Sequence, residues 1–514
     1  FDICIYDLEI GKQNNITPET TESIQPEIAW SPEDDFIAFA SDRSGRFDTY
    51  KIPSYGGEAS PVLRLPFPDW KVRWSPEGDW IAVVVVAKGQ DYYTYLTSVK
   101  GGEPLVIADQ RGTICAKDVA WSHDGKRLAF ASNVEGYYNI GIFELQSRQI
   151  TWVTQGEGDK VTPEWSPDGK KITYVLNDGA HNKIVWQDLK TGATQNFQVE
   201  CGVHYHPHFT PDGKHLIFIF DNPRFPDDLW MLSISDGRAK QLTHSLPLEY
   251  KQAPFVMPLE VRYPSLDGSL VPALLYRPTS ANGLSPAVIY IHGGPNWLSQ
   301  ITWDPLVQHM LSRGWVVLAP NYRGSTGYGR EWQLANRFDL GGGDTQDIQA
   351  GANYLIREGI ADPQRIAVTG RSYGGYLTMT SLTQYPTQWV GGSAVVPFLN
   401  WFTGHKNSRE DLQHWDLENF GDPQKDRELY YERSPYFFLD RITVPVQLIC
   451  GAHDPRCPAS ESIQARDALI AQGKTCDFVL YEDEGHVFLK TENVVEAKKR
   501  QVEFLASILD KTRG

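Results

Sequence analysis

Three residues in the second half of the chain have the types needed for nucleophilic catalysis. Ser372 lies within Gly-Arg-Ser-Tyr-Gly-Gly-Tyr at 370–376, and Asp454 and His486 follow it in the sequence. A serine hydroxyl is a poor nucleophile until an imidazole takes its proton, and that imidazole needs a carboxylate to fix its tautomer. We therefore predict Ser372 as nucleophile, Asp454 as acid and His486 as base.

The surroundings of Ser372 favour a sharp turn from a strand into a helix. The apolar run 366–369 predicts a buried strand, and 377–383 lacks Gly and Pro and can begin a helix. Gly370 and Gly374 stand two residues either side of the serine, where a β-carbon would crowd such a turn. On this stretch alone, a turn serine that only caps the helix remains an alternative.

Other residues compete for the acid and base roles. Asp454 and His486 each follow a predicted strand, which places both side chains at one edge of a sheet. His453 adjoins Asp454 too closely in sequence for its ring to meet that carboxylate and still reach the serine. Asp483 and Glu484 are the alternative acids, but they share the loop of the base. Asp454 can also be interpreted as an ordinary turn residue.

An acyl-transfer site also needs N–H donors directed at the developing oxyanion. Tyr373 follows the nucleophile at the start of the predicted helix, where its amide has no intrahelical partner. The second donor is expected from His-Gly-Gly-Pro at 292–295, which follows the predicted strand 288–291. Paired glycines let this backbone turn its amides toward the site, and we predict Gly294.

The first half of the chain repeats a short motif of an aromatic residue, Ser or Thr, and usually Pro-Asp-Gly or a close variant. The motif starts at intervals of 44, 47, 44 and 44 residues, at Trp30, Trp74, Trp121, Trp165 and Phe209. This period predicts a β-propeller, with each aromatic between neighbouring blades and each Asp-Gly in a tight turn. The units resemble the TolB-like propeller repeat. We predict about six to seven blades over a domain at 1–255; because the chain begins at Phe1, without an initiator Met, residues upstream are expected.

The second half has a different pattern. Prolines cluster around 245–260, a hairpin is predicted at 260–278, and strands then alternate with helices. Helices are predicted near 304–313, 344–358, 460–472 and 492–509, and strands near 287–291, 315–319, 365–369, 392–396, 444–450 and 476–482. This alternation predicts a mostly parallel sheet covered on both faces, in a domain at 256–514.

Composition restricts the partners. The chain has 514 residues, with 48 Lys and Arg against 64 Asp and Glu, a formal net charge of −16. Such a charge repels phosphate backbones, so nucleic acid is not expected as a partner. No apolar run approaches the ~20 residues needed to cross a bilayer, and six Cys without CxxC spacing favour reduced thiols in a cytoplasmic protein. A homo-oligomer is compatible with the sequence.

A cluster of three histidines lies in the fifth repeat, at His204, His206 and His208. On a regular strand this alternate spacing places all three imidazoles on one face, which could suit a metal. Neither Cys nor carboxylate lies at ligand spacing, and Pro207 aligns with Pro163 of the preceding repeat. We therefore favour a structural role and predict neither a metal nor an organic cofactor.

Together these features resemble the prolyl oligopeptidase family of serine peptidases, which place a propeller before an α/β-hydrolase domain. The resemblance rests on the repeats, His-Gly-Gly-Pro at 292–295, the motif at 370–376, Asp-Pro-Arg at 454–456 and Gly485-His486. It is nearest to the branch of acylaminoacyl-peptidases and dipeptidyl aminopeptidases. The family implies the same Ser372, Asp454 and His486 triad, and it implies that Arg456 binds a backbone carbonyl of the substrate.

The sequence thus predicts a serine peptidase that cleaves short peptides through an acyl-enzyme, with the propeller restricting substrate size. An exopeptidase acting on acylated or free amino termini is expected. Tyr373, Trp401 and Phe402 are predicted walls of the pocket for the side chain before the scissile bond. The alternatives are a carboxylesterase with the same triad and a binding protein that uses only its propeller.

Overall fold

The N-terminal half is a series of small antiparallel sheets. The computed structural model of the chain describes residues 2–18, 24–25, 27–279 and 283–510. Within them, strands pair with their chain neighbours in seven sheets, β1–β2, β3–β6, β7–β10, β11–β12, β13–β16, β17–β20 and β21–β24. The strands are β1 Cys4–Asp7, β2 Lys12–Asn15, β3 Ala29–Trp30, β4 Phe36–Ser41, β5 Asp48–Pro53, β6 Ser60–Leu63, β7 Asp69–Trp74, β8 Trp80–Val86, β9 Tyr92–Ser98, β10 Leu105–Val106, β11 Ala108–Asp109, β12 Gly112–Thr113, β13 Lys117–Trp121, β14 Arg127–Ser132, β15 Asn139–Glu144, β16 Ile150–Trp152, β17 Asp159–Trp165, β18 Lys171–Asp178, β19 His181–Asp188, β20 Thr194–Phe197, β21 Val203–Phe209, β22 His215–Asn222, β23 Phe225–Ser233 and β24 Ala239–Gln241.

The repeated motif forms the same turn in each four-stranded sheet. Its hydroxyl accepts the backbone N–H five residues later at Ser31, Ser75, Ser122, Ser166 and Thr210. The motif glycines at 78, 125, 169 and 213 have φ values of 65–72°, which a side chain rarely adopts. The predicted tight turns are therefore confirmed.

The aromatic residues of the motif connect neighbouring sheets. The indole N–H of Trp121 donates to the carbonyl of Arg73 at 3.3 Å, and that of Trp165 donates to the carbonyl of Ala120 at 3.0 Å. Each acceptor directly precedes the tryptophan of the previous repeat. The prediction that these aromatics lie between blades is confirmed at both positions.

The three histidines of the fifth repeat do not share one face. The pairing of β21 with β22 shifts between Tyr205 and His208, and His206 has a φ of 49°. His204 is buried, whereas His206 and His208 are exposed. Asp118 and Thr162 occupy the equivalent position in the two preceding sheets, with φ values of 51° and the same break in pairing. The expectation of regular alternation is wrong because this bulge belongs to the repeat.

The C-terminal half contains one large sheet of eight strands. The sheet order is β25-β26-β28-β27-β29-β30-β31-β32, antiparallel from β25 to β28 and parallel from β28 to β32. Its strands are β25 Leu259–Pro264, β26 Leu270–Tyr276, β27 Ser285–Ile291, β28 Val316–Pro320, β29 Ala361–Arg371, β30 Gly392–Val395, β31 Val446–Gly451 and β32 Cys476–Tyr481. The predicted hairpin and the mostly parallel sheet are confirmed.

Helices cover both faces of this sheet, and the two largest apolar clusters of this half lie on opposite faces. They are α1 Pro305–Ser312, α2 Arg330–Leu334, α3 Gly343–Arg357, α4 Tyr373–Gln384, α5 Trp401–Asn407, α6 Glu410–Asn419, α7 Arg427–Glu432, α8 Ala459–Ala471 and α9 Thr491–Leu509. Short 3₁₀ helices lie at Leu248–Tyr250 and Pro435–Arg441. Among the described residues, no helix is both long and apolar enough to span a membrane. The sequence predicted α1, α3, α4, α8 and α9, but it did not predict α2 or α5–α7.

The two halves are joined by polar contacts around the loops of the large sheet. The guanidinium of Arg330 bonds to Asp91 and Asn133 of the small sheets. Asp159 accepts the backbone N–H of Gly327 at 3.2 Å. Because these contacts involve several of the small sheets, they fix the position of the propeller against the large sheet.

A buried ion pair fixes the loop after β28 to helix α3. The guanidinium of Arg323 donates from Nε and Nη2 to Asp347 at 2.9 and 2.7 Å. Asp347 also accepts from Ser265 Oγ, and its side chain is fully buried. Removing the cation would leave an uncompensated carboxylate inside the protein.

We expect Arg323→Met to lower stability by about 3–5 kcal/mol, seen as a lower melting temperature. A buried carboxylate without its cation takes up a proton more readily, so the deficit should shrink as the pH falls from 8 to 5. Arg500→Met is the matched control, because the Arg500–Glu496 pair is about half exposed on both sides. Equal melting temperatures for the two variants would contradict the assigned role of Arg323.

Candidate active site

Ser372 stands on a strained turn between β29 and α4. Its φ and ψ are 58° and −121°, in a region that side chains rarely adopt. A β-carbon on Gly370 would lie 2.5 Å from the Gly374 carbonyl oxygen and 2.7 Å from that of Ile291. A β-carbon on Gly374 would overlap the same Ile291 oxygen. The turn therefore requires both glycines, because three backbone segments meet there without room for side chains.

The structure brings Ser372, His486 and Asp454 together in one hydrogen-bonded row. Ser372 Oγ lies 3.0 Å from His486 Nε2, and His486 Nδ1 lies 2.7 Å from Asp454 Oδ2. The second oxygen of Asp454 accepts the backbone N–H groups of Arg456 and Cys457, both at 2.8 Å. With Nδ1 protonated and donating to Asp454, Nε2 is free to accept the serine proton.

The competing residues have other contacts. His453 follows β31, and its backbone N–H donates to the carbonyl of Glu484. The Glu484 carboxylate accepts the backbone N–H groups of Leu489 and Lys490, just before α9. Asp483 pairs with the Lys490 side chain at the surface. In this arrangement His486 is the histidine that reaches Ser372.

Arg371 supports the loop of His486, which the sequence did not predict. Its guanidinium donates to the backbone carbonyl of His486 and lies over the ring of Phe488, 5.6 Å from its centroid. The residue before the candidate nucleophile thus holds the loop that carries the candidate base. The sequence contains no periodic or spacing signal for this contact, because 115 residues separate the partners.

The two predicted oxyanion donors border the same pocket as Ser372. Tyr373 is the first residue of α4, so its N–H has no intrahelical acceptor. Its side chain is fixed, since the hydroxyl donates to Asp344 at 2.5 Å. Burial raises the pKa of Asp344 to about 7. Gly294 has a φ of 129°, so the backbone of the loop after β27 takes a course that glycine favours.

His292, at the start of the same loop, has a structural environment. Its Nδ1 lies 2.7 Å from the Gly293 carbonyl and its Nε2 lies 2.9 Å from Ser325 Oγ. Its ring stacks on Tyr322, with centroids 4.3 Å apart. Burial lowers the pKa of His292 to about 4, so this ring is neutral at physiological pH. The neutral ring fixes the turn that leads to Gly294.

A pocket of about 210 Å³ adjoins Ser372. Trp401, one of the predicted walls, lines it and stacks on Phe420 with centroids 4.0 Å apart. Tyr373, the second predicted wall, also lines it, whereas Phe402, the third, does not; the Phe402 ring packs against Tyr430 and Phe437. The prediction for Phe402 is wrong because consecutive residues of a helix face different directions. The complete lining is Gly294, Asn296, Ser372, Tyr373, Phe398, Trp401, Gly404, His405, Ser408, Leu412, Trp415, Asp416, Arg456 and Cys457.

Arg456 also lines this pocket. Its backbone N–H is bonded to Asp454, but no hydrogen bond or ion pair joins its guanidinium to the part of the chain that the structure describes. Among these residues, the Arg456 guanidinium therefore forms no surface salt bridge. The guanidinium is available to a ligand in the pocket.

Helices α5 and α6 supply six of the pocket residues, and the sequence did not predict either helix. One local signal was present at Asn400, whose side chain accepts the backbone N–H of Phe402 at 3.1 Å and caps α5. Helix α6 has no side-chain cap and a weak apolar pattern, so no such signal marks it. Its position depends on contacts with α5 and the propeller.

Comparisons with known proteins agree with this geometry. The chain is 30% identical over 295 residues to the uncharacterized peptidase YuxL of Bacillus subtilis, covering 56% of this chain and 44% of that protein. It is 30% identical over 260 residues to dipeptidyl aminopeptidase BIII of Pseudoxanthomonas mexicana, covering 47% and 37%. The chain thus spans less than half the length of these curated relatives.

The fold is shared with a crystal structure of puromycin hydrolase. That chain superposes with a TM-score of 0.87 at 22% identity, over 98% of this chain and 82% of the other. At this identity the likeness shows the fold alone, a propeller with an α/β-hydrolase domain. Residues 302–512 match the model of the prolyl oligopeptidase family. Over these residues, the chain is similar to the prolyl oligopeptidase family.

Proposed function

We propose that the chain is a serine peptidase that hydrolyses short peptides through an acyl-enzyme. The row of hydrogen bonds from Ser372 to His486 to Asp454 is the observation that carries this proposal. Each contact has the length at which a proton can be transferred or a tautomer fixed.

The first half of the reaction follows from these contacts. Ser372 Oγ attacks the peptide carbonyl carbon while its proton moves to His486 Nε2, and Asp454 stabilises the imidazolium that forms. The carbonyl oxygen becomes an oxyanion facing the N–H groups of Tyr373 and Gly294. His486 then gives its proton to the leaving nitrogen, the C–N bond breaks, and the acyl group stays on Ser372.

The second half regenerates the enzyme. Water takes the place of the leaving amine and gives a proton to His486 as its oxygen attacks the acyl carbon. The ester bond to Ser372 breaks when His486 returns the proton to Oγ. The protein residues supply every proton acceptor and donor in this sequence, so the proposal includes neither a metal nor an organic cofactor.

Arg456 and the pocket would position the substrate. An unpaired guanidinium beside Ser372 can donate two hydrogen bonds to a backbone carbonyl of the peptide. The side chain before the scissile bond would enter the pocket lined by Phe398 and Trp401. The name of the similar dipeptidyl aminopeptidase favours an exopeptidase, which trims short peptides from an end.

The propeller would limit substrate size. A chamber of about 370 Å³ lies between the innermost strands of the propeller and the loop after β27. Asn296 lines both this chamber and the pocket of Ser372. A peptide would therefore reach Ser372 through a space enclosed by both domains, which favours short or unfolded chains.

We also propose the domain bounds, the number of blades and the location of the protein. Domains at 1–255 and 256–514 are consistent with small sheets that end at Gln241 and a large sheet that begins at Leu259. Five four-stranded sheets and the β1–β2 pair support about six to seven blades. A cytoplasmic location rests on the six cysteines, which are free thiols.

We expect Ser372→Ala to abolish hydrolysis of chromogenic peptides with free, acetylated and extended amino termini, because no nucleophile remains. Ser507→Ala is the matched control, since that hydroxyl only donates to the Phe504 carbonyl on exposed α9. The preferred amino terminus decides between the two exopeptidase types. Full activity of Ser372→Ala would contradict the site, and cleavage of simple esters alone would favour the carboxylesterase alternative.

We expect Asp454→Asn to lower kcat about 10⁴-fold while the fold is retained. The amide oxygen would keep accepting the N–H groups of Arg456 and Cys457, so its NH₂ group must face His486 Nδ1. The ring would then carry its proton on Nε2 and could not accept one from Ser372. Asp483→Asn is the control; a kcat equal to that of the wild type in Asp454→Asn would contradict the assignment.

We expect Arg456→Met to lower kcat/KM for peptides about 10- to 100-fold, because a charged hydrogen bond to the substrate is lost. Reaction of Ser372 with a small fluorophosphonate, which lacks a peptide backbone, should proceed at the wild-type rate. Arg427→Met removes a guanidinium that lies over the Phe402 ring, outside the pocket, and serves as control. Equal losses with both reagents would show that Arg456 acts on the triad instead.

A further inference from the structure

The pocket beside Ser372 has a polar side formed by α5 and α6. Its walls are largely apolar, with Phe398, Trp401, Leu412 and Trp415. On the side of α5 and α6, however, the lining includes His405 and Asp416. Neither residue contacts the triad, so the chemistry of the acyl transfer does not explain a titratable pair in this pocket.

The two side chains form one rigid unit. His405 Nδ1 lies 3.0 Å from Asp416 Oδ2, and the His405 ring meets Tyr430 edge-on with centroids 6.3 Å apart. Burial raises the pKa of the Asp416 carboxyl, and the contact with His405 opposes that shift. The pair also ties α5 to α6, so its position in the pocket is fixed on both sides.

Each member of the pair has one polar atom that forms no hydrogen bond with the described part of the protein. Among the described residues, no protein group hydrogen-bonds to Asp416 Oδ1 or to His405 Nε2. Some polar side-chain atoms, such as Ser381 Oγ, are fully buried and have no hydrogen-bond partner, but Asp416 Oδ1 and His405 Nε2 are not among them. Both atoms therefore remain accessible, next to the apolar walls of the pocket.

We propose that His405 and Asp416 form a specificity site that receives the hydrogen-bond donor at the end of a long side chain before the scissile bond. The inference rests on the proposed peptidase function and names its substrate class. The residue before the scissile bond would have an apolar body and a terminal hydrogen-bond donor, as tyrosine has in its hydroxyl and lysine in its ammonium group. Aromatic walls suit a phenol ring, and they also attract an ammonium group through their π faces.

The expected preference has two physical causes, one for a side chain with a donor and one for an apolar side chain. A donor that enters the pocket replaces the water at the free oxygen of Asp416 and bonds to that oxygen, next to largely apolar walls. An apolar side chain of the same shape displaces that water and leaves the carboxylate oxygen without a partner, which is the more costly outcome. Discrimination is therefore expected between side chains that differ only in the terminal group.

Two matched pairs of peptide p-nitroanilides test the site: tyrosine against phenylalanine, and lysine against norleucine, at the position before the scissile bond. For the wild type we expect kcat/KM to be about tenfold or more higher for the donor member of at least one pair. A preference within the first pair identifies the hydroxyl, and one within the second identifies the ammonium. Equal turnover within both pairs overturns the proposal.

Variants at Asp416 separate this site from the general fold. Asp416→Leu has a similar shape without acceptors, so the donor preference should fall to about one while turnover of the phenylalanine or norleucine peptide continues. Asp416→Asn keeps one acceptor and loses the charge, so it should abolish a preference for lysine first. Asp411→Asn is the matched control, because Asp411 lies on the same helix, pairs with Arg409 and does not line the pocket.

The outcomes distinguish this inference from the function on which it rests. A preference that survives in both Asp416 variants overturns the specificity site, whereas the peptidase function stands. Absence of turnover of all four peptides by the wild type overturns the peptidase function, and the specificity site falls with it. If the Asp416 variants do not fold, the ratios within the two pairs for the wild type still decide.

Discussion

The close meeting of three backbone segments at Ser372 is the constraint on which the site depends. Strand β29, helix α4 and the end of β27 approach so closely that Gly370 and Gly374 have no room for a β-carbon. This approach sets the positive φ of Ser372 and raises its hydroxyl above the end of the sheet. The loops after β31 and β32 leave the sheet at this same edge, and they place Asp454 and His486 in one hydrogen-bonded row with Ser372.

The loop after β27 connects this constraint to the propeller. It carries Gly294 beside Ser372, and a few residues later Asn296 donates to Gln90 at 2.7 Å. Farther along, the N–H of Trp303 donates to Asp221 at 2.8 Å. One short loop is thus held at its start by the turn at Ser372 and beyond it by two different sheets of the propeller. The position of one candidate oxyanion donor consequently depends on how the two domains meet.

The sequence predicted what is local or periodic. The glycines around Ser372 indicated the turn, the 44-residue period indicated the propeller, and alternating strands and helices indicated the large sheet. It did not predict what depends on contacts between distant segments, such as Arg371 with the His486 carbonyl. It also failed where a repeated bulge broke strand alternation at His206, since no residue type marks that bulge. The pocket was the weakest prediction because α6 has neither a cap nor a strong apolar stripe.

Helix α6 connects the pocket beside Ser372 to the contact with the propeller. One part of it lines the pocket through Leu412, Trp415 and Asp416. Its end contacts the turn between β8 and β9, where Glu418 accepts the N–H of Gly89 at 3.0 Å and Asn419 donates to the Gly89 carbonyl at 2.9 Å. A helix of 10 residues cannot move at one end without moving at the other. The shape of the pocket and the contact between the two domains therefore depend on the same element.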